Sequence, residues 1–209
     1  MSRRSSRDLK RRRATRKPKR LFVIFCEGRN TEPSYFHALK RIYSNALIKV
    51  ETIGGAGVPY TLATAAVKRA NSRRERRSSF EERDQIWAVF DRDDHPRFAD
   101  AVTKCQAKGV GVARSNPCFE VWLILHKEDY DKPDGRHGAQ ARFRVLCPDY
   151  ELNGAKVPPL LVEQVEKAER RAEIQLSRRA EERKPYGQPS TTVGRLTRAI
   201  REAALEAAS

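Results

Sequence analysis

Three acidic residues stand where they could share a divalent cation. Glu27 follows the apolar run of residues 21–26, and Asp91 and Asp93 follow the run of residues 87–90. An Asp-x-Asp pair at the end of a strand puts two carboxylates on one side of the chain. Magnesium favours such a place, taking one or two carboxylates, several waters and phosphate oxygens. Like-charge repulsion opposes packing carboxylates together without a cation, so a metal or an arginine belongs nearby. Each acid also has an ordinary reading. An acidic residue after a strand forms turns and caps helices, and Asp93 or Asp94 would serve as cap for a helix starting near Pro96.

The elements that must position these acids read as an α/β order. Residues 21–26 (Leu-Phe-Val-Ile-Phe-Cys) are apolar, β-branched and aromatic, as in a strand buried on both faces of a parallel sheet. Residues 27–30 supply a turn, Thr31 is placed to cap the next helix, and Pro33 is tolerated in its first turn. Tyr35, Phe36, Leu39, Ile42 and Tyr43 recur at helical spacing. A second strand is predicted over 50–53 and a helix from Tyr60 to about Phe80. A third strand over 85–90, a helix over 96–107 and a short strand over 110–113 follow. This alternation predicts a mostly parallel sheet with helices on its faces. Sites in such sheets form beyond the carboxyl ends of the strands, where Glu27, Asp91 and Asp93 fall.

Ser115 or Asn116 is placed to cap a helix carrying Phe119, Trp122, Leu123 and His126. Residues 128–138 are polar and turn-rich, and a short helix is expected around 141–146. Residues 160–183 read as one long helix with a narrow seam of Leu161, Val165, Ala168, Ala172 and Leu176. Glu163/Lys167 and Glu166/Arg170 are four apart on its exposed face. The seam suits either packing on the sheet or a docking or dimerisation surface. A terminal helix runs from Val193 to about Ala207. The expected organisation is a disordered basic arm over 1–19, an α/β core over 20–127, and a loop and helical extension over 128–209.

Charge narrows the partners. The chain has 43 basic and 27 acidic residues among 209, a net charge of +16. Residues 1–20 hold eight arginines and three lysines against Asp8 alone, so they carry most of the excess. Such an arm points to a polyanion, because each neutralised phosphate releases a counterion. The other reading is a solvated tail. Arg29, beside Glu27, is a phosphate-contact candidate, as are Arg73, Arg74, Arg76 and Arg77 in a basic run; Arg92 is another, unless pleat alternation points it away. Gly54 to Gly57 are placed either to cradle a phosphate at the next helix N-terminus or, lacking the lysine and serine of a P-loop, to form a turn. His95 is placed either to bind metal or shuttle a proton, or to stand at a helix entry; His126 reads as a satisfied core histidine and His37 as a surface residue. No apolar run approaches eighteen residues, which excludes a membrane span, and no signal-peptide pattern follows Met1. Four scattered cysteines with no C-x-x-C pair suggest reduced thiols rather than disulfides or a zinc ribbon.

Four segments carry a family resemblance. Residues 25–33 (Phe-Cys-Glu-Gly-Arg-Asn-Thr-Glu-Pro) resemble the opening motif of Toprim-like domains, and residues 89–95 resemble their Asp-x-Asp segment. Residues 115–126 (Ser-Asn-Pro-Cys-Phe-Glu-Val-Trp-Leu-Ile-Leu-His) and residues 189–193 resemble the RloB family, whose members are bacterial, associated with anti-phage defence and abortive infection, and encoded beside an RloA-type ATPase. The resemblance implies a Toprim-like (Rossmann-like) α/β fold with a C-terminal helical extension. It further implies a cytoplasmic nuclease dependent on Mg2+ or Mn2+, working on DNA or RNA with that ATPase, and open to homo-oligomer formation. Glu27 matches the general acid or base and, with Asp91 and Asp93, the metal site. Glu32, Asp94 and Glu120 are further candidates for a second metal or for orienting a basic group. Proton transfer near neutrality asks for a carboxyl above the ordinary Glu range, a shift that neighbouring carboxylates promote. None of the six tyrosines carries a motif for covalent strand passage, which disfavours a topoisomerase. The alternatives are a non-catalytic module binding nucleic acid or the ATPase, and phosphoryl or nucleotidyl transfer by the same carboxylates.

Overall fold

The apolar runs place a sheet at the centre of the molecule. A computed structural model describes residues 19–52, 58–75, 83–92, 95–150 and 157–209. Strands β1 (Leu21–Cys26), β2 (Leu47–Thr52), β3 (Gln85–Asp91), β4 (Gly111–Asn116) and β5 (Ser190–Thr191) form one sheet in the order β2-β1-β3-β4-β5. The first four run parallel, and β5 joins the edge antiparallel to β4. Strand β1 lies between β2 and β3 and its last five residues are buried, as an uninterrupted apolar strand should be.

Strand alternation divides the interior into two cores. Phe22, Ile24, Cys26 and Val89 face one core, and Val23, Phe25, Ala88 and Phe90 face the other. Helices α1 (Thr31–Ile42) and α4 (Glu120–Leu125) cover the first face, while α2 (Pro59–Glu75) and α3 (Phe98–Gln106) cover the second. Every residue of α4 is buried, and Trp122 is wholly enclosed. The extension comprises α5 (Gly135–Leu146), α6 (Pro159–Val162), α7 (Val165–Glu181) and α8 (Val193–Ala208). It contributes Phe143, Leu161, Val165, Ala168 and Ile200 to the first core.

Several local expectations need correction. The second strand starts three residues earlier than residue 50, at Leu47, and β4 continues through Ser115 and Asn116 instead of ending at Ala113. Ser115 and Asn116 therefore pair with β5 and cap no helix. Thr31 lies inside α1, with its Oγ1 turned to the Tyr150 hydroxyl at 3.1 Å. The long helix is broken between α6 and α7 at Glu163 and Gln164. Its seam is not a docking face, because Leu161, Val165, Ala168 and Ala172 are buried against the rest of the chain. Glu166 pairs across to Arg201 of α8 at 2.8 Å. All four cysteines are free and buried. Among the described residues no helix is long and apolar enough to cross a membrane. The turn at Gly54 to Gly57 lies outside the described residues.

Candidate active site

The carboxyl ends of β1 and β3 lie side by side, and this brings Glu27 and Asp91 together. The Glu27 amide donates to the Val89 carbonyl at 3.1 Å, carrying the ladder one residue past β1. Its Oε2 accepts the Asp91 amide at 3.2 Å, and its Oε1 lies 3.6 Å from His95 Nε2. The two acids, 64 residues apart in the chain, share one rim of a cleft of about 530 Å³. Glu32, Glu120, Arg29 and Arg136 line the same cleft.

Glu32 reaches the cleft from the first turn of α1 and is buried. It folds back on Gly28 so closely that a Cβ there would stand 2.0 Å from Glu32 Oε2, so any side chain at position 28 would push the Glu32 carboxylate aside. The amides of Gly28 and Glu32 donate to this carboxylate and hold it down, but burial and the nearby Glu120 and Glu27 push its pKa up to about 7. Glu120 opens α4, is buried, and accepts the Tyr150 hydroxyl at 3.1 Å; that hydroxyl in turn accepts from Thr31 Oγ1. Burial raises the Asp91 carboxyl well above the usual carboxylate range, Glu32 adds to the rise, and Arg136 acts against it. The same burial raises the Cys118 thiol far out of reactive range.

Arg136 was not foreseen from the sequence. Its Nη2 donates to Asp91 Oδ2 at 3.1 Å from the start of α5, just after Gly135 at φ +67°. A left-handed glycine before a helix inside a polar, turn-rich stretch was the available signal, but the partner is 45 residues away. The helix is also six residues longer at its start than its apolar residues suggest.

The remaining candidates fall in several places. Arg29 is exposed at the cleft mouth. Arg73 and Arg74 lie in the last turn of α2, and Asp93, Asp94, Arg76 and Arg77 lie outside the described residues. Of the two readings of Arg92 the phosphate contact fails: the side chain turns away from the cleft and donates to the Tyr186 carbonyl. His126 is a satisfied core residue: Nδ1 meets the Trp122 carbonyl at 2.9 Å and Nε2 the Tyr35 hydroxyl at 3.1 Å. Burial lowers its pKa to about 4, so the imidazole is neutral. His37 is exposed.

Glu27, Glu32, Asp91 and Glu120 are oxygen donors, the ligand type that hard divalent cations take. Repulsion among four carboxylates in one cleft is relieved by a proton or a cation, and Arg136 already stands on Asp91. Among the described residues no group of three or more acidic, histidine or cysteine side chains is placed to hold a metal ion. Magnesium does not require such a cage, because it takes one or two carboxylates and fills its shell with water and phosphate oxygens.

The family model for RloB-like protein matches residues 22–200. The chain belongs to the RloB-like family. That match takes in every strand of the sheet and both rims of the carboxylate cleft, from Glu27 to Arg136. It ends within α8, and the basic arm lies before it. No curated protein and no solved structure matches this RloB-like chain.

Proposed function

We propose that this RloB-like protein is a Toprim-type nuclease that hydrolyses phosphodiesters of DNA or RNA with Mg2+ or Mn2+. One observation carries the reading: Glu27 and Asp91 meet in a cleft that also gathers Glu32 and Glu120, at the carboxyl ends of parallel strands. Glu27 and Asp91 would hold the ion, with Asp93 two residues on and Glu32 and Glu120 available behind them. A bound ion would supply charge neutralisation at the phosphoryl group.

The chain's own residues supply the rest. Glu27 has one oxygen fixed by the Asp91 amide and the other turned toward His95, so a proton taken at Oε1 has an imidazole within reach. Arg29 at the mouth and Arg136 within the cleft offer cationic contacts to an approaching phosphate. The arm at residues 1–20 adds sequence-independent affinity for the polyanion. The bacterial anti-phage role, the cytoplasmic setting and an RloA-type ATPase partner come with the family and belong to this proposal.

Cleavage of plasmid DNA and of RNA with and without Mg2+ or Mn2+ tests the reading. Glu27→Gln should slow cleavage by about 10²–10⁴-fold, the usual contribution of a general acid or base. Asp91→Asn should also abolish cutting, and both variants should still bind nucleic acid. Salt-sensitive binding without metal-dependent cleavage would leave the non-catalytic module in its place.

A further inference from the structure

On the other face of the sheet, away from the carboxylates, Arg114 of β4 is 6 % exposed. Its Nη1 donates to Ser190 Oγ at 3.0 Å and its Nη2 to the Pro185 carbonyl, while the guanidinium lies 4.8 Å from the Tyr186 ring centroid. All these partners are neutral, and no carboxylate pairs with Arg114 among the described residues. Arg92, half-buried, gives its hydrogen bond to the Tyr186 carbonyl. A buried cation surrounded by neutral dipoles is costly unless an anion completes the site.

Beside Arg114 lies a cavity of about 290 Å³, whose walls include Arg114, Arg195, Tyr186, Thr192 and Ala180. Helix α8 begins at Val193, so its first turn, with Thr192 and Arg195, stands on this cavity. Arg195 is 57 % exposed, and its Nε reaches Glu173 only at 3.6 Å. Burial lowers the Arg114 pKa to about 10, Tyr186 acts against the fall, and Arg195 and Arg92 add to it. Two arginines thus line one cavity, with Glu173, the partner of Arg195, as the carboxylate paired to either among the described residues.

We infer that this cavity binds a phosphate group, held by Arg114 and Arg195 at the start of α8, beside Tyr186. Two sources share that chemistry: a free nucleotide, and a backbone phosphate of nucleic acid. The inference is independent of the carboxylate cleft and of any cleavage there.

Calorimetric titration of the full chain in EDTA with inorganic phosphate, AMP and single-stranded oligothymidylate tests it. Two variants keep the fold safe. Ala180→Glu sets a carboxylate on the wall from an exposed helix position, and Arg195→Gln removes an exposed cation. At least one probe should bind, with affinity falling about tenfold or more in both variants. AMP binding would assign a free nucleotide, and oligothymidylate binding without AMP binding a backbone phosphate. Unchanged affinity in Ala180→Glu and Arg195→Gln, or no binding by any of the three probes, overturns the site. Cleavage by the Ala180→Glu variant reads the carboxylate cleft separately.

Discussion

Glu32 is the carboxyl whose chemistry the fold changes most clearly. Its pKa rises from the ordinary 4.5 to about 7, first through burial and then through Glu120 and Glu27. The folded protein keeps this proton at pH values where the unfolded chain has lost it. Stability from this group is therefore full below pH 4.5 and is lost as pH rises toward 7. The loss is on the order of 3 kcal/mol, at about 1.4 kcal/mol per pH unit. His126 works in the opposite sense, since its lowered pKa destabilises the fold as pH falls from 6.5 toward 4. Urea unfolding in EDTA at pH 5 and pH 8, compared between the wild type and Glu32→Gln, cancels the histidine contribution. The wild type should lose stability relative to Glu32→Gln between the two pH values. An equal response in both proteins would show that Glu32 titrates normally. At this scale the sequence exposed Glu27 and Asp91, because strand ends in parallel sheets are adjacent whatever their distance along the chain. It could not expose Arg136 or Tyr150, which reach the cleft from a polar segment with little periodicity.

Among the elements, the pairing of α7 with α8 holds the extension to the sheet. Glu169 of α7 is 2 % exposed and accepts Thr197 Oγ1 at 2.9 Å and Arg201 Nη2 at 3.1 Å. Removing the carboxylate leaves the Arg201 head to Glu166 and the Thr197 hydroxyl to the Gly194 carbonyl. Glu169→Ala should cost about 3 kcal/mol, read as a lowered urea midpoint. A change within 0.5 kcal/mol would mean that the pair contributes nothing net. The main strands were legible because each is an apolar run flanked by turn residues. Strand β5 was not, since two polar residues, Ser190 and Thr191, form a strand only by lying against Ser115 and Asn116. The break at Glu163 and Gln164 was also hidden, because the apolar seam keeps its spacing across it.

Over the whole molecule, the basic excess and the cleft carboxylates are separated along the chain. The basic excess sits mainly in residues 1–20, while the acids converge at one edge of the sheet. Deleting residues 1–18 should weaken binding to nucleic acid and flatten the dependence of log affinity on log salt, as fewer phosphates are neutralised. Fluorescence anisotropy at several salt concentrations measures both effects. An unchanged salt slope would mark the arm as a solvated tail.

In the proposed nuclease Glu27 and Asp91 jointly hold a divalent ion. Anomalous diffraction from a crystal saturated with Mn2+ tests it most directly. The account predicts a peak within about 2.2 Å of an oxygen from each carboxylate, with Arg136 moved off Asp91. A saturated crystal with no peak there, and Arg136 still paired with Asp91, would contradict it.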